Sequence, residues 1–151
     1  MIGREDQKSN DLFYTCSLID YIARKTTNKR KDVVNALGKD RVFKIYDLAD
    51  IYHCLSMEQA ADEFIEASGI VAGEFDNVYE CDYNVPTYFD MGRVYKRLIL
   101  GIAKETGADV VDALFLAYNS FISDKIDDYN SSYYYEYSKN ILSDYFHGEV
   151  A

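Results

Sequence analysis

Two stretches of the 151-residue chain decide its fold: LIDYIARKTTNKRKDVVNAL (residues 18–37) and LILGIAKETGADVVDAL (residues 98–114). They match once three residues are dropped between their helical halves, and their apolar residues recur every three or four positions. This spacing places the apolar side chains on one face of an α-helix. The pattern therefore predicts two successive helices in each stretch, with the same faces buried in both.

The match continues without another gap, so that residues 45–52 pair with 122–129 and residues 64–65 with 141–142. Its length favours an internal duplication over chance helix composition. We therefore predict two tandem helical repeats, 10–69 and 90–148, joined by an irregular linker, 70–89. Because about sixty residues form only a small core, we expect the two repeats to pack as one globular domain.

Few helix breakers interrupt this pattern, since the chain has one proline and eight glycines. The predicted fold is an all-α compact bundle of about seven helices, with a little extended structure around residues 78–85. Ser56 and Gln59 have the spacing of a capping box, whereas Gly38, Gly69, Gly107 and Gly148 stand where helices should end. The predicted helices cover residues 10–25, 29–37, 40–52, 56–69, 90–104, 109–127 and 132–147.

Charge is distributed unevenly along this acidic chain, whose formal net charge is -10. Residues 1–73 carry twelve acids and ten bases, a net of -2, whereas residues 74–151 carry fourteen acids and six bases, a net of -8. Nucleic acids and anionic membranes bind clustered Lys and Arg, so the balance favours a basic protein partner. The basic cluster of Arg24, Lys25, Lys29, Arg30 and Lys31 could touch DNA, but we favour a solvated turn.

Targeting and redox signals are absent from the sequence. The amino-terminal MIGREDQKSN lacks the apolar stretch of a secretory signal, and no segment approaches the roughly 18 apolar residues of a membrane span. We expect a cytoplasmic protein without a membrane association. Cys16, Cys54 and Cys81 lack C-x-x-C spacing, so we expect free thiols in or near the core, without a zinc site or another cofactor.

Clustered carboxylates are the main candidates for catalysis. Acids within one helical turn could bind a hard cation or act as an acid and base pair, and a neighbouring histidine could assist. A solvated helix face explains them more simply, and common nucleotide-binding and hydrolase motifs are absent. A small metal-dependent hydrolase stays the alternative function, and its residues would be Asp47, Asp50, His53, Asp124, Asp127 and Asp128.

Tyrosine is unusually frequent, with fifteen copies in a chain that has no tryptophan. Seven tyrosines fall from Tyr118 onward, and a helix over residues 132–147 could not bury all of its rings. Exposed tyrosine is common at interface hot spots, and flanking acids would select a basic partner. The rings could instead cover the seam between the repeats. The predicted partner-binding residues are Asp127, Asp128, Tyr129, Tyr133, Tyr134, Glu136 and Tyr137.

The order of features in each copy also carries a family resemblance. An aromatic-led helix ends near L-I-x-x-I-A, and it is followed by a V-V-x-A-L helix, an I-x-D helix and a last helix with F-I or I-L. This order resembles small bacterial all-helical proteins of unknown function whose genes lie beside predicted ADP-ribosyltransferase-like toxin genes. The resemblance covers most of the first copy and, less closely, the second, and this chain departs from it in having two copies. It implies a toxin–antitoxin context without catalytic residues.

Together these observations predict a non-enzymatic protein-binding module, an antitoxin or inhibitor that occludes a basic site on its partner. The partner would be a basic protein, with a toxin encoded nearby as the first candidate. Self-association into a homo-oligomer is also compatible with the sequence.

Overall fold

A computed structural model describes the backbone of residues 4–148 and the side chains of residues 7–148. Every regular element in this range is helical, which confirms the all-α fold class. Two short 3-10 turns, Tyr129–Ser131 and Tyr133–Tyr135, lie before the last helix. The helices are α1 (Arg4–Thr26), α2 (Arg30–Asp47), α3 (Ala49–Tyr52), α4 (Met57–Ser68), α5 (Tyr88–Thr106), α6 (Val110–Tyr118), α7 (Phe121–Asp127) and α8 (Ser138–His147).

The bundle is built around α1 and α5, which form its most extensive helix pair. Helix α2 packs on α1, helix α6 packs on α5, and α2 and α6 also contact each other. A Cβ at Gly92 in α5 would overlap Ser17 of α1, so glycine permits this close approach. Leu18, Ile19, Leu98 and Ile99 are all buried in the shared core.

Several helix ends follow the predicted signals. Ser56 and Gln59 form both hydrogen bonds of a capping box at the start of α4. Gly69, Gly107 and Gly148 adopt the left-handed conformation after α4, α5 and α8. Gly38 also has a positive φ, 80°, but its ψ of 164° kinks α2 and the chain continues as a helix beyond it.

The prediction of one helix over residues 109–127 was wrong, because α6 and α7 are separate helices. Asn119 donates from its side chain to the Phe115 carbonyl, and the Ser120 hydroxyl donates to the Ala117 carbonyl. Such short polar side chains compete with the helical backbone for its acceptors. After this break α7 contacts α8 and the 3-10 turn Tyr133–Tyr135.

The prediction of a helix from residue 132 was also wrong, since α8 begins at Ser138. Ser132 has a φ of 60°, which interrupts regular helix, and Asp128 accepts a hydrogen bond from the Asn130 backbone. The Tyr133 hydroxyl then donates to Asp144 in α8 at 2.5 Å. The tyrosine-rich segment is consequently a compact double turn, and its rings do not follow a helical wheel.

The linker contains no strand in the described chain, so the extended structure expected around residues 78–85 was wrong. Backbone turns occupy residues 77–80, and the following residues run irregularly to α5. No helix of residues 4–148 is both long enough and apolar enough to cross a bilayer. The division into repeats 10–69 and 90–148 stays a prediction.

Candidate functional site

The predicted partner-binding residues divide between the interior and the surface. Asp128, Glu136 and Tyr137 are exposed, and Tyr133 is half-buried. The other three, Asp127, Tyr129 and Tyr134, are at most 7% exposed, which corrects the expectation that they lie on the surface.

Tyr129 is part of a buried polar network. Its hydroxyl accepts hydrogen bonds from Arg24 and Arg30, each at 3.1 Å. The same two arginines hold the two oxygens of Asp20, at 2.6 Å from Arg24 and 2.7 Å from Arg30. Arg24 also donates to the Pro86 carbonyl, which ties the end of the linker to α1.

Arg30 has no exposed surface, so its charge depends on this network. Burial alone would lower the pKa of its guanidinium, but Asp20, Tyr129 and Asp127 together hold that pKa above its ordinary value. For the Tyr129 hydroxyl burial acts in the opposite direction and raises the pKa. A permanently charged arginine paired with Asp20 therefore lies behind Tyr129.

Asp127 is the second buried acid of the region. One oxygen, Oδ1, accepts from the Tyr95 hydroxyl at 2.7 Å, and that hydroxyl also lies 2.8 Å from Ser123 Oγ. Burial raises the pKa of Asp127 from 3.8 to about 7, against the opposing attraction of Arg30. Neutral pH therefore lies within its titration range.

An acidic cavity of about 320 Å³ opens beside Asp127. Its walls come from the linker and from the end of α7 with the turn that follows. Lys29 is the one basic residue among the lining residues, and its ammonium lies 5.8 Å from the centre of the Phe75 ring. The acids that line the cavity are Glu74, Asp76, Glu80, Asp124, Asp127 and Asp128.

The linker wall of this cavity is fixed at its start by the turn between α1 and α2. The Gly73 amide donates to the Thr26 carbonyl and the Phe75 amide to the Thr27 carbonyl, both at 2.8 Å. A Cβ at Gly73 would overlap the Asn28 side chain, so this contact requires glycine.

Side-chain amides fix the opposite end of the wall. Asn77 donates to the Asp127 carbonyl at 3.0 Å. Asn130 donates to the Glu80 carbonyl and accepts from the Asp82 amide, at 3.0 and 2.8 Å. The cavity is thus built by anchored segments, although the sequence indicated only an irregular linker there.

Exposed tyrosines and acids lie on two segments beside the cavity, residues 79–83 and 128–137, and we call them together the tyrosine–acid face. Four rings are 69–84% exposed, and the linker contributes two of them. The Asn130 bonds place the linker beside residues 128–130, and the Tyr134 ring packs against both Tyr129 and Tyr135. The face comprises Tyr79, Glu80, Asp82, Tyr83, Asp128, Tyr135, Glu136 and Tyr137.

The acids of the predicted alternative function do not share one pocket. Asp124 and Asp127 line the acidic cavity, whereas Asp50 and His53 line a more apolar cavity of about 510 Å³. Asp47 is exposed. Within the described part of the chain, no three His, Cys, Asp or Glu side chains are grouped so that they could hold a metal ion.

The basic cluster of the first turn is largely used inside the protein. Arg24 and Arg30 belong to the buried network, and Lys25 pairs with Asp62 at 2.7 Å. Lys29 lies at the acidic cavity, as described above. Four of the five positive charges therefore already face carboxylates or a ring within the fold.

All three cysteines are free thiols, as expected. Cys16 is buried, and burial raises its pKa to about 12, so it is an inert core residue. The expectation was wrong for Cys54, which is exposed beside the exposed His53 at the end of α3. Ala49 and Tyr52 of α3 are buried and α3 contacts α1 and α2, whereas Ile51 and residues 53–56 are exposed.

Comparison of the chain with protein-family models, curated proteins and solved structures finds no match.

Proposed function

We propose that this protein is a non-enzymatic binding module of the antitoxin or inhibitor kind, which captures a basic site on a partner protein. The observation that carries the proposal is the tyrosine–acid face, where four exposed tyrosines stand among four exposed acids. Tyrosine rings supply contact area at a small entropic cost, and carboxylates select and steer a positively charged partner.

The geometry also explains why the face can keep its shape before binding. Tyr133 is bonded to Asp144, and Asn130 holds the linker through two hydrogen bonds. A preorganised surface loses little conformational entropy when its partner docks. The same anchoring supports binding as the role of these residues more directly than catalysis.

Site-specific photocrosslinking in the native cell tests this proposal. A photoreactive phenylalanine analogue replaces Tyr79 or Tyr135 on the face, and Phe43 serves as the control position because it is 52% exposed on α2. We expect Tyr79 and Tyr135 to capture the same basic protein and Phe43 to miss it. Capture of the same products from all three positions would contradict the proposal.

Affinity measurements with the purified partner make the test quantitative. Tyr135→Ala with Glu136→Lys should weaken binding at least tenfold, because it removes an aromatic contact and reverses a charge. The matched control, Phe43→Ala with Glu66→Lys, makes the same kinds of change on α2 and α4 and should leave the affinity within about twofold. Equal losses from both variants would argue against a specific face.

A further inference from the structure

The cavity that Asp50 and His53 line, which we call the Tyr14 cavity, has an unpaired hydroxyl in its wall. Tyr14 of α1 lines this cavity and is only 7% exposed. Within the described chain, its Oη atom is buried and has no hydrogen-bond partner. Because nearly all buried polar groups in native proteins are hydrogen-bonded, this hydroxyl indicates a ligand that supplies the missing partner.

The Tyr14 hydroxyl offers such a ligand a neutral acceptor. Burial, with a smaller contribution from Tyr52, raises the pKa of Tyr14 to about 12, so the hydroxyl keeps its proton near neutral pH. Its oxygen accepts hydrogen bonds in this form. The His53 ring packs edge-on against the Tyr14 ring, with the ring centres 5.9 Å apart, and His53 also lines the cavity.

Apolar side chains form most of the remaining wall of the Tyr14 cavity. Phe13 of α1 and Phe89 of α5 pack together with their ring centres 5.9 Å apart, and Phe89 is 42% exposed. Ala49, Leu55 and Met57 complete the apolar lining. The volume of about 510 Å³ lies within the ~300–1,000 Å³ of typical small-molecule sites, which are likewise mostly apolar with a few polar groups. The wall therefore suits a small ligand with an aromatic body.

Two carboxylates determine the charge that this ligand should carry. Asp11 of α1 and Asp50 of α3 line the cavity, and its described lining residues include no lysine or arginine. Burial and the negative charge of Asp50 raise the pKa of Asp11, because the two acids repel each other. Arg93 and Lys96 lie 5.7 and 5.9 Å from the centre of the Phe13 ring, but they do not line the cavity. A cationic ligand would relieve the repulsion between the acids.

We infer that the Tyr14 cavity is a binding site for a small aromatic amine. The ring of the amine packs on Phe13 and Phe89, and its ammonium group donates hydrogen bonds to the Tyr14 hydroxyl and to Asp50. The cavity shares no lining residue with the tyrosine–acid face, so this ligand is additional to the partner protein and does not depend on the proposed function.

NMR titration of the full chain with tryptamine tests the inference. Tryptamine should shift the amide signals of residues 10–14 and 49–57 to saturation, with a Kd of about 1 mM or lower. Tryptophol, which has a hydroxyl in place of the ammonium, should bind at least about fivefold more weakly, and ethylamine, which lacks the ring, should bind more weakly still. Equal binding of tryptamine and tryptophol, or no saturable shift in these segments, would overturn the inference.

The Tyr14→Phe variant tests the unpaired hydroxyl. Removing a buried hydroxyl that has no partner should raise the Tm of the free protein by about 2–4 °C, whereas tryptamine affinity should fall about fivefold. Tyr118→Phe is the matched control, because the buried Tyr118 hydroxyl also has no partner in the described chain and Tyr118 does not line the cavity. Tryptamine affinity should be unchanged in this control. Unchanged affinity in Tyr14→Phe, or equal losses in both variants, would overturn the site.

The Asp50→Asn variant tests the ammonium contact. Asp50 is exposed, so the variant should fold normally and bind tryptamine at least about threefold more weakly. Asp40→Asn removes an exposed acid of α2 that does not line the cavity, and it should leave the affinity unchanged. Equal affinities in the two variants would contradict the proposed orientation of the ligand.

Two further measurements separate this site from partner binding. Blocked lysine, Nα-acetyl-lysine methylamide, presents an ammonium as a protein side chain does, and tighter binding than tryptamine would overturn a free aromatic amine as the ligand. Tyr135→Ala with Glu136→Lys changes only the tyrosine–acid face and should keep tryptamine affinity within about twofold. A larger loss in that variant would overturn the location of the site.

Discussion

Residues 50–52 and residues 127–129 are matched in the sequence but differ in their surroundings. Asp50 is exposed and the Tyr52 ring packs on Phe64, with the ring centres 5.1 Å apart. Asp127 is buried, and Tyr129 accepts two hydrogen bonds from arginines. The two segments thus share a pattern of apolar burial, and only the second has a buried polar network.

The difference arises in the turn that makes the two matched stretches unequal. Residues 27–31 of the first stretch are opposite only Gly107 and Ala108 of the second. Arg30 lies in this longer turn, and its side chain reaches Tyr129. The longer turn of the first stretch therefore supplies the charge that the second segment buries. Similarity of pattern does not imply similarity of chemistry when a distant side chain reaches only one of the two matched segments.

The largest expected effect comes from removing that charge. Arg30→Met should reduce the free energy of unfolding by about 3–5 kcal/mol, because Asp20 stays buried with one partner fewer. Arg93→Met is the matched control, since its pair with Asp90 is half-exposed and 3.5 Å long, and it should change stability by less than about 1 kcal/mol. Urea denaturation measures both. A small loss in Arg30→Met would show that the network contributes little to the fold.

The second-largest expected effect is on the pH dependence of stability, which should differ between variants of the matched acids Asp127 and Asp50. Unfolded Asp127 loses its proton above pH 3.8, whereas the folded chain keeps it until about pH 7, so stability falls as pH rises through this window. Asp127→Asn does not titrate and should gain about 3–4 kcal/mol relative to wild type between pH 4 and pH 8. Urea denaturation at both pH values measures the gain. The exposed Asp50→Asn should show no such gain, and parallel profiles for Asp127→Asn and wild type would refute the raised pKa.

The matched tyrosines provide a smaller contrast. Tyr129→Phe removes the acceptor shared by Arg24 and Arg30 and should lower stability by about 2 kcal/mol, since hydrogen bonds to charged groups are worth about 1.5–3 kcal/mol. Tyr52→Phe keeps the ring contact with Phe64 and should cost less than about 0.5 kcal/mol. Thermal unfolding of the two variants gives the comparison. Equal losses would mean that the two positions are more alike than the contacts indicate.

The smallest expected effect is on the exposed face. Tyr135→Ala with Glu136→Lys should change the free energy of unfolding by less than about 0.5 kcal/mol, because both side chains are exposed. Differential scanning calorimetry detects any larger loss. The result separates a contact role from a structural role for these residues. Tyr134→Ala should destabilise the protein instead, since the Tyr134 ring is packed between Tyr129 and Tyr135.

Apolar periodicity and capping residues predicted much of the fold, because helix faces and helix ends depend on local sequence. The stop at Gly107 and the capping box at Ser56 are examples. The site depends on contacts far apart in the chain, and these leave little local signal. Arg30 appeared to be one member of a solvated basic turn, yet it pairs with Asp20 and Tyr129 across the core.

The tyrosine-rich segment shows a second reason why the site could not be predicted from the sequence. Composition indicated correctly that some of its rings are exposed, but the assumption of a helix assigned Tyr134 to the surface. Ser132 with its positive φ and the Tyr133–Asp144 bond turn the segment differently. A serine within a polar run does not by itself predict a positive φ. The linker tyrosines could have been assigned to the face only by knowing that Asn130 binds the linker.

The most direct test of the account is a titration of the Asp127 carboxyl carbon by ¹³C NMR, with Asp127→Asn to assign the signal. A desolvated acid that is buried beside Tyr95 should titrate with a midpoint near pH 7. A midpoint near the ordinary value of 3.8 would contradict the account.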